Sequence, residues 1–65
     1  MFGILTPVNS SAIRAVGYFG GILTVEFTNG RTYDHPGVPV WVFLGLMAAS
    51  SKGAFYNRYI RGRYR

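Results

Sequence analysis

The sequence predicts one α+β domain, a three-stranded antiparallel β-meander followed by two short helices. Three observations carry this. Between Ala12 and His35 apolar residues recur with the period of strands, and the pattern is interrupted at Gly20-Gly21 and Asn29-Gly30. After Pro39 the period becomes helical. The chain's 65 residues leave room for a single domain and no linker.

The first strand is expected near 12–19, with Ile13, Ala15, Gly17 and Phe19 on one face and Arg14, Val16 and Tyr18 on the other. Gly20-Gly21 supplies the positive φ that a tight hairpin requires. A second strand near 22–28 follows, where Leu23-Thr24-Val25-Glu26-Phe27-Thr28 alternates strictly. Asn29-Gly30 is the strongest short hairpin signal, and Arg31 to His35 form the third strand. Residues 1–11 read as a lead-in, punctuated by Pro7 and Asn9-Ser10-Ser11.

Pro39 suits the first turn of a helix near 39–50, because its missing N–H would be orphaned there anyway. Val42, Phe43, Leu46 and Met47 share the stripe that should meet the sheet. Lys52-Gly53 reads as a stop, and a second helix is expected near 54–61. Its Phe55, Tyr59 and Ile60 should face inward, leaving Asn57, Arg58 and Arg61 toward water. Residues 62–65 form a basic tail.

Composition limits what such a domain can do. Hydrophobic residues are 49% of the chain and charged residues 14%, which excludes a disordered tail. There is no cysteine, so disulfide staples and thiolate metal sites are absent together. At this size the gain from apolar burial about equals the cost of ordering the chain. Trp41 and Leu44 add apolar surface away from the core stripe, so a homo-oligomer using them as its interface is expected. The longest apolar run, Val38 to Ala49, is twelve residues, short of the roughly 20 that a membrane span needs. The start lacks a charged segment and long apolar core, so a cytoplasmic protein without membrane partners is expected.

The pieces Asn9-Ser10-Ser11, Ala15-Val16-Gly17-Tyr18, Leu23-Thr24-Val25-Glu26-Phe27, Asn29-Gly30, Tyr33, Gly37-Val38-Pro39, Ala49-Ser50, Gly53 and Asn57…Ile60-Arg61 follow one another in a specific order. In that order and spacing the chain resembles the KTSC domain over about residues 9–64. That family takes its name from a C-terminal appendage of some lysyl-tRNA synthetases and also occurs as small stand-alone proteins of bacteria and their viruses. The family's Tyr-x-Tyr stands here as Tyr33-Asp34-His35, with histidine at the second tyrosine. The resemblance implies no settled activity, and attachment to a synthetase implies RNA as a partner.

Catalysis needs paired groups, and this chain has one histidine and two acids, Glu26 and Asp34. Asp34 and His35 are adjacent on a strand and point to opposite faces. One imidazole and one carboxylate fall short of a zinc ligand set. Ser10, Ser11, Ser50 and Ser51 read as turn and cap residues with no base nearby. No glycine-rich phosphate loop precedes a helix. No enzyme activity, cofactor or metal is expected.

Binding is what remains. The net charge is +5, and Lys52, Arg58, Arg61, Arg63 and Arg65 lie in the last fourteen positions without an acid among them. Arginine and tyrosine interleave from Tyr56 to Arg65, a pairing that supplies phosphate contacts and base stacking together. Tyr56, Tyr59 and Tyr64 are the stacking candidates of this segment. The hairpin register decides the rest. A two-residue turn places Arg31, Tyr33 and His35 opposite the face of Leu23, Val25 and Phe27, where they could bind RNA. A three-residue turn with a glycine bulge sets Tyr33 against Val25 and the core. The expected function is a non-enzymatic module binding nucleic acid, RNA above all, through Arg31, Tyr33, His35, Lys52, Tyr56, Arg58, Arg61 and Arg63. The alternative is an oligomeric interaction or sequestering protein that takes a host protein or a small anionic nucleotide ligand.

Overall fold

A computed structural model describes residues 5–64. Its architecture is α+β, with a four-stranded antiparallel meander in the order β1-β2-β3-β4 and helices after it. The strands are β1 (Thr6–Pro7), β2 (Ile13–Phe19), β3 (Ile22–Phe27) and β4 (Thr32–His35). The helices are α1 (Val40–Ala48) and α2 (Lys52–Phe55), and α2 runs into a π-helical segment, Tyr56–Ile60.

The extra strand lies in what reads from sequence as a lead-in. Thr6 pairs with Val16 and Pro7 with Ala15. Two residues are too few to show a period, and Pro7 lowers the strand signal while suiting an edge, since it offers no N–H to a further strand. Residues 1–4 of the lead-in and Arg65 of the basic tail lie outside the described residues.

The face pattern expected for β2 is corrected by a bulge. Ile13 pairs with Phe27 but Ala15 with Glu26, so Arg14 is the inserted residue. Ile13 therefore joins Val16 and Tyr18 on the face of Leu23 and Val25, while Ala15 and Gly17 turn to the other. Gly20 and Gly21, at φ 58° and 79°, close the first hairpin as expected.

The second hairpin takes the three-residue loop with a glycine bulge. Gly30 N–H donates to the Phe27 carbonyl at 3.0 Å, Phe27 N–H donates to the Arg31 carbonyl at 2.8 Å, and Gly30 has φ 91°. Tyr33 then stands opposite Val25 and His35 opposite Leu23, both on the core face.

The helical stripe meets that face as expected. Leu46 is fully buried, and Val42, Phe43 and Met47 pack against the core of Ile13, Val16, Leu23 and Val25. Lys52-Gly53 opens α2 instead of stopping α1. Ser51 caps α2 by accepting the Ala54 N–H at 3.4 Å. Gly53 packs closely on β2's entry, since a Cβ there would lie 3.3 Å from the Ala12 Cβ, a tight contact that glycine avoids.

The inward residues of the second helix are also corrected. Tyr56 and Ile60 are buried, Phe55 is half-buried, and Tyr59 is exposed. The cause is the wider π turn, closed by Arg61 N–H donating to the Tyr56 carbonyl at 2.8 Å.

Candidate functional site

His35 organises one end of the molecule. It is 8% exposed, and both ring nitrogens are engaged. Nδ1 lies 3.0 Å from the Tyr64 carbonyl and Nε2 lies 2.9 Å from the Tyr56 hydroxyl. A carbonyl only accepts, so Nδ1 carries the proton, and in the neutral ring Nε2 accepts from the Tyr56 hydroxyl. Strand β4 thereby ties down the C-terminal segment across a sequence separation of 29 residues.

Aromatic rings continue outward from this point. Tyr56 meets Phe27 edge-on with centroids 5.0 Å apart, and Phe27 meets Tyr33 edge-on at 5.8 Å. Tyr33 keeps 44% of its surface exposed, so it borders the core without entering it. Phe27, Asn29, Tyr33, Tyr56, Asn57 and Arg61 together line an open cleft of about 360 Å³.

The cleft's polar groups are held from several directions. Asn29 Oδ1 accepts the Arg31 backbone N–H at 2.9 Å, which leaves the amide NH₂ of Asn29 to face outward. Burial and the neighbouring Tyr33 push the Tyr56 phenol above its ordinary range, against the opposing pull of Arg61. A hydrogen bond with the Tyr33 side chain, reinforced by its charge when ionised, raises the Arg31 guanidinium.

The residues expected to form one anionic-ligand surface are thus sorted into separate places. Tyr33, Tyr56 and Arg61 converge on the cleft, and Arg31 stands beside Tyr33. His35 is corrected from an exposed stacking residue to a buried tie, because the three-residue hairpin loop turns it to the core face. Tyr56 is likewise buried at 6% exposure, with its hydroxyl engaged by His35 in a buried contact, so it offers no stacking face. Lys52 is occupied at the end of α1, where Nζ donates to the Ala49 carbonyl at 2.9 Å.

Arg58 and Arg61 do not share a helical face. Arg61 lies beyond the π-helical segment with extended backbone, while the Arg58 guanidinium sits 5.7 Å from the Tyr59 ring centroid. Arg63 and Tyr59 line a second groove of about 470 Å³, beside Trp41, Gly45 and Phe55. Trp41 and Leu44 are exposed at 71% and 56%, as the sequence leads one to expect of residues outside the core stripe.

Asn29 and Asn57 were not legible as site residues. Asn29 reads as a turn residue and Asn57 as a solvated helix residue, and only the fold brings both to one cleft. Among the described residues, no group of three or more His, Cys, Asp or Glu side chains could hold a metal ion. No helix among the described residues is long and apolar enough to cross a membrane.

The described architecture has known counterparts. A crystal structure of a KTSC domain protein from Yersinia pestis matches it with a TM-score of 0.91 at 34% identity, covering 95% of this chain and 90% of that one. A protein from Tsukamurella paurometabola is 46% identical over 63 residues, which is 94% of either chain. The KTSC domain model matches residues 9–64, from the Ser10 turn before β2 through the Tyr64 carbonyl that His35 holds. With sequence, fold and these spans in agreement, the chain is a member of the KTSC domain family.

Proposed function

We propose that the protein is a small non-enzymatic module that binds single-stranded RNA through the cleft between β4 and the C-terminal segment. One observation carries the reading. A half-exposed tyrosine, an arginine and two asparagines meet in a single cleft on a chain of net charge +5. Tyr33 offers a ring for stacking, Arg61 and the neighbouring Arg31 offer phosphate contacts, and the amides offer base-edge hydrogen bonds.

The other side of the sheet is unsuited to the same task. Glu26 and Asp34, the only two acids of the chain, both face it, and among the described residues its one aromatic ring is Phe19. Open sheet faces that bind RNA carry stacking aromatics and basic rims. Here that face repels phosphate.

The test is fluorescence anisotropy with RNA oligomers of increasing length beside a mononucleotide, at several salt concentrations. Affinity should rise with length, and log affinity should fall with log salt by ~0.7 for each phosphate neutralised on a single strand. Saturation by the mononucleotide with no further gain from length would refute RNA in favour of a small anionic nucleotide ligand.

A second reading rests on a separate observation, the exposed apolar side chains Trp41, Leu44 and Tyr59. Such a surface supports self-association, the homo-oligomer this short chain is expected to need. Sedimentation at micromolar concentration showing only a 7.2 kDa species would remove it.

A further inference from the structure

The two edges of the sheet are unlike. The β1 edge is two residues long and carries Pro7. The β4 edge, Thr32–His35, has no proline, lysine or bulge within it, and Thr32, Tyr33 and Asp34 are exposed. The hairpin decides which backbone groups this edge presents. Phe27 N–H donates to the Arg31 carbonyl at 2.8 Å, so these two residues form a hydrogen-bonded pair. By alternation Tyr33 and His35 also turn their backbone groups toward β3, while those of Thr32 and Asp34 turn away from it. Among the described residues, no backbone group meets these four outward donors and acceptors.

We propose that β4 is a homodimer edge, at which the β4 strands of two copies pair antiparallel about a two-fold axis at Tyr33. The two meanders then form one sheet of eight strands, and this inference does not depend on RNA binding. The register follows from the outward groups, which must face one another. That leaves symmetric registers centred on residue 32, 33 or 34. Centring on Asp34 sets two carboxylates opposite each other and brings Pro36 into the ladder without an N–H. Centring on Thr32 sets Asp34 against Gly30, which belongs to the loop and has φ 91°. Centring on Tyr33 pairs Thr32 with the partner's Asp34 twice over, and every outward group of both copies is engaged. The same register sets the two Tyr33 side chains, each 44% exposed, opposite each other in a pair without backbone hydrogen bonds, where side chains approach most closely. Across the axis Thr32 faces Asp34 as Thr24 does within the sheet, where the hydroxyl donates to Asp34 Oδ1 at 2.7 Å.

Analytical ultracentrifugation over a concentration series reads the equilibrium, at high salt to screen the repulsion between two chains of net charge +5. The parent should pass from monomer to dimer. Asp34→Ala keeps the backbone N–H and should dimerise as well. Asp34→Pro removes an N–H that points away from β3, so the sheet keeps its own hydrogen bonds while dimerisation weakens by at least about tenfold. Circular dichroism checks the fold of each variant. Cross-linking tests the register, in a chain with no cysteine of its own. Tyr33→Cys brings two Cα atoms to about 4.5 Å and should form an intermolecular disulfide. Thr32→Cys leaves them more than about 7 Å apart and should not. A parent that stays monomeric up to about 1 mM overturns the proposal. A dimer that persists in folded Asp34→Pro overturns the edge and moves the contact to the face of Trp41 and Leu44. Cross-linking of both cysteine variants alike overturns the register. Should Asp34→Pro fail to fold, the cysteine pair decides alone.

Discussion

The two faces of the β-sheet differ in what each asks of its side chains. The face of Val16, Leu23 and Val25 lies under the helical stripe of Leu46, Tyr56 and Ile60, and large apolar groups fill it. The opposite face carries Ala15, Gly17 and Thr24 side by side across β2 and β3, with Glu26 and Asp34 around them. Ala15 and Thr24 are buried there between cross-strand neighbours, Pro7 and Glu26 for one, Gly17 and Asp34 for the other. One face is held by packing and borders the basic cleft. The other is held by backbone pairing and short polar contacts, and it holds both negative charges. On the RNA reading proposed above, charge and not exposure alone distinguishes the two sides of this sheet.

The difference in packing sets the largest expected effect. Leu46 is 0% exposed and touches the centre of the covered face. Leu46→Ala removes that contact and leaves a cavity, at a cost of about 3 kcal/mol. For so short a chain this is a large share of the total stability. Urea unfolding should show the midpoint collapse. A loss below about 1 kcal/mol would mean that the helices do not close this face.

Next in size is Tyr56→Phe, which removes the hydroxyl that donates to His35 and leaves a buried ring nitrogen without a partner. The cost at neutral pH should be about 1–2 kcal/mol. Its pH dependence has a definite sign. Burial raises the Tyr56 phenol in the fold, so the protonated form is the one the fold favours. That contribution is complete below the ordinary tyrosine value of about 10 and is lost as pH climbs through the raised one. The stability gap between parent and Phe variant should therefore narrow from pH 7 to pH 11. A gap that widens in alkali would show the phenolate to be the favoured form.

On the open face the corresponding change is smaller. The Thr24 hydroxyl donates to Asp34 Oδ1 at 2.7 Å, and Asp34 itself is exposed. Thr24→Val keeps the β-branched shape and removes only that bond, at about 1 kcal/mol. Thermal unfolding of the two variants, Leu46→Ala and Thr24→Val, ranks the faces directly. Equal losses would erase the distinction between them.

How much of this was legible depends on the range of the interaction involved. Period-two alternation and the Gly20-Gly21 and Asn29-Gly30 signals locate β2, β3 and β4, because those are local properties of the chain. The helical stripe from Val42 to Met47 is local as well. The Arg14 bulge is not, since it exists only relative to β3, and it moves Ile13 to the opposite face from the one alternation assigns. The π turn has the same character. It buries Tyr56 and frees Tyr59, exchanging the roles that regular helical spacing gives to neighbouring residues. The site suffered most, because Asn29, Tyr33 and Arg61 meet only after the hairpin loop length and the His35 tie are both set. Trp41 and Leu44 were readable as surplus apolar surface, since a helix with one covering sheet must leave some of its faces outside.

The smallest effect on stability belongs to the charges, and there the two faces separate by function. Arg61 lines the cleft, and Glu26 belongs to the open face. Neither anchors the core, so Arg61→Ala and Glu26→Gln should each shift stability by no more than about 0.5 kcal/mol. Their effects on RNA binding should differ. If Arg61 neutralises a phosphate, Arg61→Ala lowers the magnitude of the salt slope of log affinity by ~0.7 and weakens binding at every salt concentration. Glu26→Gln removes a negative charge from the face turned away from the strand, so it should raise affinity slightly through the long-range field and leave the slope unchanged. Were the RNA to lie across the open face, the order would invert. Glu26→Gln would then strengthen binding markedly, and Arg61→Ala would leave the slope as it is. Arg58→Ala gives the intermediate case, since Arg58 is exposed against Tyr59 outside the cleft lining. A slope change for Arg58 as large as that for Arg61 would extend the contact surface along the C-terminal segment and take the cleft out of its centre.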